Sequence, residues 1–339
     1  MPKKGMGSNG KGEGFPFSMD NIGTPPYLPF PPLTQNNLEI APPLLQNTPL
    51  VQFEIRGKRY WVKRDDLLHP IFHGNKGRKF LSLITTPPEG AEELISFGSP
   101  LSNTIPSLGM IGRLRGWKVK FFVNYIPPPL KENPAGNYRL GVELGVKFIE
   151  TGLRGEELRR WVLSKKGKGS LVIEEGGRSP FSKLGIYKLG EELLPFLKAL
   201  RLNLFLPSGT GTTAFYLARF FEERGGKIKV FTTPTVGGET YLRRQWEWLE
   251  GLEGSPSPYP EILPPPLSGK FGKIRKEVWE MWQELEGRGI EWDLLYDPIG
   301  WMAVLNSGIS DIVYLNQGGW TGNLTLLPRY LAKFGKSKS

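Results

Sequence analysis

Cysteine is absent from this chain, and its two histidines, His69 and His73, stand close together in one short stretch. The first absence excludes disulfides, thiol nucleophiles and thiolate metal sites. The second leaves too few imidazoles for a metal centre, so no metal is expected. Long apolar runs are also missing. No stretch approaches the roughly 20 apolar residues a membrane span needs, and the N-terminus carries lysine and glycine without the apolar centre of a signal peptide. A soluble, cytoplasmic protein without membrane contact is expected.

What is present is a globular composition with many breaks: 39% apolar and 12% aromatic residues, but 43 glycines and 31 prolines in 339 residues, which predicts abundant loops. The net charge of +11 invites a nucleic-acid reading. Part of that excess lies in the two ends, at Lys3, Lys4, Lys11, Lys333, Lys336 and Lys338, and the rest is dispersed. No helix-turn-helix, zinc-finger or RNA-recognition pattern accompanies it, so no specific nucleic-acid partner is expected and the charge is read as solvated surface.

The chain is predicted to begin with a disordered leader over residues 1–24, followed by a proline-punctuated extended segment, Pro25 to Pro43. Val51 to Ile55 and Tyr60 to Lys63 alternate around Arg56-Gly57-Lys58 and read as a hairpin. Strand and helix patterns then alternate to the end of the chain. Leu94–Phe97, Trp117–Val123, Lys147–Ile149, Ser170–Ile173, Asn203–Leu206, Ile228–Phe231, Leu294–Tyr296 and Asp311–Leu315 read as strands. Gly77–Ile84, Ser99–Arg115, Asn137–Leu144, Gly155–Ser164, Gly185–Leu200, Thr212–Arg224, Tyr241–Leu249, Ile274–Glu286 and Trp301–Ser307 read as helices, and Pro256–Pro266 as a long loop. This order predicts α/β architecture, with parallel twisted sheets flanked by helices and ligands at the carboxyl ends of strands.

Four loops at such ends carry the chemistry. The densest follows the hairpin: Lys63-Arg64-Asp65-Asp66-Leu67-Leu68-His69-Pro70-Ile71-Phe72-His73-Gly74-Asn75-Lys76-Gly77-Arg78-Lys79. Lys76 sits between two glycines, where the backbone can bend and lie close to a ligand, and such a lysine is a candidate amine nucleophile. Pro207-Ser208-Gly209-Thr210-Gly211-Thr212-Thr213 follows a strand and opens a helix, which suits an anion, or else is an ordinary polar turn. It has neither the P-loop lysine nor the dinucleotide-binding glycine spacing. Ser96 to Thr104 offers Ser99, Ser102, Asn103 and Thr104 to a carboxylate or ring oxygen, or serves only as a helix cap. Asn316-Gln317-Gly318-Gly319 follows the last strand. A reactive lysine, a phosphate cradle, an asparagine and polar groups after the last strand together are what pyridoxal 5'-phosphate requires.

The stretch Lys63 to Lys79, with Ser102-Asn103, Glu175-Gly176-Gly177, the Ser208 to Thr213 loop, Asp297-Pro298 and Gly318-Gly319, resembles the 1-aminocyclopropane-1-carboxylate deaminase and D-cysteine desulfhydrase family over residues 50 to 325. The resemblance implies a two-domain pyridoxal-phosphate fold of the tryptophan synthase β-like type. A large cofactor domain would comprise residues 25–81 and 186–330, a small domain residues 82–185, and a basic tail residues 331–339. It implies a homodimer that deaminates a small amino acid or eliminates from its β-carbon. Lys76 would be the Schiff-base lysine and proton shuttle, and Asn103 would bond the ring oxygen. Ser208, Gly209, Thr210, Gly211 and Thr212 would hold the phosphate. Ser102 would assist at the substrate carboxylate or in proton transfer.

Aligned on Asp297-Pro298, the family segment Asp-Pro-Val-Tyr-Glu-Gly puts Gly300 at its tyrosine and Trp301 at its carboxylate, and Phe271 stands where a second tyrosine is usual. His73 replaces a glycine. In this register the substrate pocket would be lined by Ser99, Thr104, Phe271 and Trp301, with His73 either there or a packed loop residue, and Gln317 or Asn316 would face the ring nitrogen. The alternative is a diverged member that keeps the cofactor or a partner for a regulatory or interaction role.

Overall fold

The computed structural model describes residues 47–72, 74–269 and 271–335. The leader at 1–24, the segment Pro25 to Pro43, His73 and residues 336–339 lie outside the described residues. The first half comprises β1 (Leu50–Ile55), β2 (Lys58–Arg64), α1 (Asn75–Lys79), α2 (Leu81–Thr85), β3 (Glu93–Phe97), α3 (Thr104–Arg115), β4 (Lys118–Val123), α4 (Pro128–Glu132), α5 (Gly136–Glu143), β5 (Lys147–Glu150), α6 (Gly155–Ser164) and β6 (Ser170–Ile173). The second comprises α7 (Lys183–Leu200), β7 (Asn203–Ser208), α8 (Thr212–Glu223), β8 (Val230–Pro234), α9 (Gly238–Glu253), β9 (Glu261–Ile262), α10 (Lys276–Leu285), α11 (Asp297–Ser307), β10 (Ile312–Asn316) and α12 (Asn323–Phe334).

The strands form a six-stranded sheet, β1-β2-β10-β7-β8-β9, and a four-stranded sheet, β5-β4-β3-β6. Among the described residues only β1 and β2 pair antiparallel, through a two-residue turn in which both Arg56 (φ 50°) and Gly57 (φ 72°) are left-handed, the geometry that matches strand twist in a tight hairpin. Every other pairing is parallel. The inner strands β8 and β10 are buried throughout, as expected of a sheet covered on both faces.

Register places the site. Asn316 pairs with Arg64 and Tyr314 with Phe205, so β2, β10 and β7 end at one edge of the large sheet. β7 ends in Ser208, and the segments that follow β2 and β10 bear Lys76 and Gln317, so the three converge.

Several expectations are corrected. The helix over 77–84 starts at Asn75 and is divided at Phe80, whose backbone is not helical. The loop 256–266 contains β9, and the helix α12 continues past Leu331 to Phe334, into the stretch read as a tail. Leu294–Tyr296 is a turn, not a strand. Asp293 decides this, because its Oδ1 accepts hydrogen bonds from the Leu295 and Tyr296 N–H groups at 2.7 and 2.8 Å, closing the chain into a turn that leads straight into α11.

Candidate active site

The lysine-bearing loop is fixed by a buried ionic cluster. Arg78 donates to Asp65 at 3.0 and 2.9 Å and to Glu192 of α7 at 2.9 Å; Lys63 reaches Glu192 at 2.8 Å. Two cations and two carboxylates thus neutralise one another where an unpaired charge would be costly. Burial pushes the Asp65 carboxyl up, but Arg78, Thr48 and Lys63 hold it below the usual range. Asp66 pairs with Arg64 at 2.7 Å. His69 is structural: its Nδ1 accepts from the Ile71 and Phe72 N–H groups, and burial lowers its pKa to about 4, so the ring is neutral.

Gly74 has φ 62°, and a Cβ there would overlap the Gln317 carbonyl, which accepts from Asn75 N–H at 3.1 Å. Only glycine permits this crossing, and it aims α1 into the site. Lys76 follows, 9% exposed, with Nζ 3.3 Å from the Gly176 carbonyl. Burial lowers its pKa to about 8, opposed by the charge of Asp293. Lys79 Nζ lies 3.0 Å from the same carbonyl, and its pKa falls well below the ordinary value through burial and the neighbouring Lys76. Sequence reading had given Lys79 no role.

Gly176 packs against the opposite loop. A Cβ on it would fall 2.8 Å from Thr210 Cγ2, so the acceptor of both lysines touches the Ser208 to Thr213 segment. Within that segment Ser208 accepts from the Thr232 hydroxyl at 2.7 Å, the Thr210 and Thr212 hydroxyls are 3.0 Å apart, and Gly211 turns with φ 69° into the first turn of α8. That turn leaves N–H groups free of intrahelical partners. The Thr213 hydroxyl is buried without a hydrogen-bond partner among the described residues. Free donors at a helix N-terminus with two lysines beside them suit a phosphate.

Asn103 opens α3. Its Oδ1 accepts from Asn137 at 2.6 Å, and its Nδ2 lies 3.5 Å from Asp293 Oδ2, near the limit of a hydrogen bond. Ser102 Oγ accepts from Thr104 N–H at 3.3 Å, and Ser99 Oγ from Leu101 N–H at 3.2 Å, so both work partly as caps. The Thr104 hydroxyl is likewise buried without a hydrogen-bond partner among the described residues. Asp293 is 2% exposed, and burial raises its pKa to about 7 against the Tyr296 and Leu295 N–H groups, Asn103 and Lys76. Lys76 and Asp293 are thus both pushed toward neutrality by burial; their mutual attraction opposes the shifts without cancelling them. Gly319, with φ 114°, leaves room for both partners, since its Cβ would collide with Asp293 Oδ2 and lie 2.7 Å from Asn103 Nδ2.

The residues after Asp293 correct the expected register. Trp301 does not line a pocket: it is fully buried, stacked on Tyr314 at 4.4 Å and packed on Phe53, Tyr60 and Trp292. A Cβ on Gly300 would fall 2.5 Å from the Tyr314 hydroxyl, so a tyrosine cannot stand there without moving α11. The family pattern fits four residues upstream, as Asp293-Leu294-Leu295-Tyr296-Asp297, where proline and valine become leucines. Tyr296 then supplies the tyrosine. A Cβ on Gly209 would lie 3.4 Å from its hydroxyl, which places that hydroxyl over the phosphate-type loop. Burial, Asp293, Glu175 and Tyr241 all raise its pKa, so it is a proton donor at neutral pH. Phe271 packs on its ring at 5.7 Å and is half-exposed at the cleft.

Asp297 is committed elsewhere, accepting from Asp293 N–H and the Tyr314 hydroxyl, both at 2.8 Å. Gln317 is likewise engaged: its Nε2 donates to the Pro207 carbonyl at 2.7 Å and its Oε1 accepts from Asn75 at 3.1 Å. It ties the three strand ends together, and Asn316 is tied to the Glu291 carbonyl. Asp293 and Tyr296 were missed by sequence reading because Asp297-Pro298 drew the pattern downstream; the signal that finds them is the Asp-x-x-Tyr-acid spacing.

These residues fit pyridoxal phosphate on their own terms, with a buried, partly neutral amine, hydroxyls and helix N–H groups for a phosphate, and an amide for the ring oxygen. Comparisons with known proteins agree. Residues 42–292 match the model of the pyridoxal-phosphate dependent enzyme family. A putative 1-aminocyclopropane-1-carboxylate deaminase from Thermotoga maritima is 30% identical over 156 residues, 42% of this chain and 48% of that protein, so the match spans about half the relative's length. The crystal structure of an ACC deaminase homologue has TM-score 0.74 at 22% identity over 85% of this chain and 94% of its own. That of a hydrogen sulfide-producing enzyme from Fusobacterium nucleatum has TM-score 0.59 at 20% identity over 81% and 94%. At such identities the structures establish the fold. With its tryptophan synthase β-like fold and pyridoxal 5'-phosphate as the implied cofactor, the chain belongs to the pyridoxal-phosphate dependent enzyme family.

Proposed function

We propose that this enzyme acts on a small amino acid, by deamination or β-elimination to a 2-oxo acid and ammonia. The observation that carries the reading is Lys76: a buried amine with pKa lowered to about 8, where the Gly176 carbonyl, Asp293 and the loops bearing Asn103 and Ser208 meet. The bound cofactor supplies an electron sink for charge developing at the substrate α-carbon. Lys76 Nζ anchors the cofactor and carries the proton that leaves or returns at that carbon.

The other residues bind and orient. N–H groups and hydroxyls of Ser208 to Thr213 hold the phosphate, with Lys79 beside them. Asn103 would hydrogen-bond the ring oxygen through its Nδ2, and Ser102 with its loop would meet the substrate carboxylate. Tyr296, protonated at neutral pH, gives a proton to the group departing from the substrate. Residues 82–185, which carry the four-stranded sheet, act as the small domain that closes over the site, in a cytoplasmic homodimer. The inactive alternative rested on Phe271, Gly300 and Trp301; Tyr296 at the cleft supplies the hydroxyl that Gly300 lacks, which favours the active reading.

The test is release of pyruvate or 2-oxobutyrate with ammonia over a panel of D- and L-amino acids. Turnover of at least one member, lost in Lys76→Ala, is expected. An inert panel with fully loaded protein would overturn the reading.

A further inference from the structure

Glu175 has no role in the function proposed above, yet it stands at the site. It opens the turn after β6, one residue before the Gly176 carbonyl that holds Lys76 and Lys79. Its side chain faces open space, and a Cβ on Gly98 would fall 3.3 Å from its Oε1, which sets the carboxylate over the start of the Ser96 to Thr104 loop. Its charge reaches both the Tyr296 and the Tyr241 hydroxyls. Among the described residues nothing hydrogen-bonds or ion-pairs with it.

The contrast with Glu174 is informative. Glu174 is buried and bridged by Arg159 at 2.8 Å and Arg178 at 3.2 Å. Arg178 is the cation that acts on Glu175, but its guanidinium is committed to Glu174, to Gln245 and to the face of Trp248 at 4.2 Å. Glu175 is left exposed to solution, without a hydrogen-bond partner among the described residues.

We propose that Glu175 is a specificity-determining residue that selects amino acids with a cationic or hydrogen-bond-donating side chain, diamino acids above all. The proposal rests on the function proposed above, because it assumes that the cleft at Lys76 receives an amino acid. A carboxylate that faces open space beside the cleft offers an incoming ammonium a charge-assisted hydrogen bond. Burial already raises the Glu175 carboxyl, and a docked ammonium opposes that rise.

The test uses the cofactor-loaded protein and Glu175→Gln, with 2,3-diaminopropionate, serine and alanine as probes. Affinity is read from the ligand-dependent change in the visible spectrum, alongside KM and kcat where turnover occurs. Expected is tighter binding of 2,3-diaminopropionate than of alanine, weakened roughly ten- to hundred-fold in Glu175→Gln, while alanine binding and the unliganded spectrum stay as in the wild type. Equal affinities for the diamino acid in both proteins, with the spectrum intact, would overturn the role of Glu175 alone. Failure of either protein to bind any amino acid would overturn the parent reading and this one with it.

Discussion

Lys76 and Asp293 hold the site near the point where both change charge, and each is there because it is buried. Asp293 favours the charged lysine, so its removal must act in one direction. In Asp293→Asn, which keeps the acceptor for the Leu295 and Tyr296 N–H groups, Lys76 loses a proton more readily and its pKa falls below about 8. The pH dependence of cofactor uptake by the apoprotein reads this, with the midpoint moving to lower pH; an upward move would contradict the electrostatic account. Tyr296→Phe is expected to lower kcat by about 10²- to 10⁴-fold while the cofactor spectrum is retained. Residues of this kind were unequally legible. Lys76, His69 and Asp65 lie in one stretch whose density marks it, whereas the pairing of Asp293 with Lys76 joins residues far apart in the chain. Trp301 was placed in the pocket because its register was taken from Asp297-Pro298. What fixes the register is how closely Gly300 approaches Tyr314, a contact between elements that spacing does not contain.

The elements around the site owe their positions to a few buried contacts. α11 is held by Trp301 among Phe53, Tyr60, Trp292 and Tyr314, and Trp301→Ala is expected to cost about 3–5 kcal/mol in a denaturant titration. α1 is held by Arg78, and Arg78→Met leaves Asp65 and Glu192 without their shared partner, at a cost of about 3–5 kcal/mol. A loss below about 1 kcal/mol would mean that the ion cluster does not secure the lysine loop. Most strands and helices were legible because their patterns are strong. β7 and β10 read as apolar runs, and α10 as an amphipathic helix with Val278, Trp279, Met281, Trp282 and Leu285 buried. Leu294-Leu295-Tyr296 reads equally apolar, but there a side chain captures the backbone N–H groups and a turn results. Composition cannot distinguish those outcomes.

Across the whole molecule, Glu286 and Glu291 connect stability to pH. Burial raises each carboxyl from 4.5 to about 7, with Glu291 adding to the rise at Glu286 and Asp66 to that at Glu291. The folded state therefore binds these protons more tightly than the unfolded chain, so their contribution to stability falls as pH rises from 4.5 to about 7 and its cost is complete above that. Glu286→Gln should raise Tm at about pH 8, with the gain vanishing at about pH 4; a gain independent of pH would contradict this assignment. The central claim is that Lys76 anchors the cofactor in a molecule that presents two buried lysines to the same carbonyl. Borohydride reduction of the pyridoxal-phosphate-loaded protein, followed by peptide mass mapping, tests it directly. The account predicts a phosphopyridoxyl group on Lys76 and none on Lys79, with no adduct in Lys76→Ala. An adduct on Lys79 in the wild type, or one that survives Lys76→Ala at full yield, would contradict it.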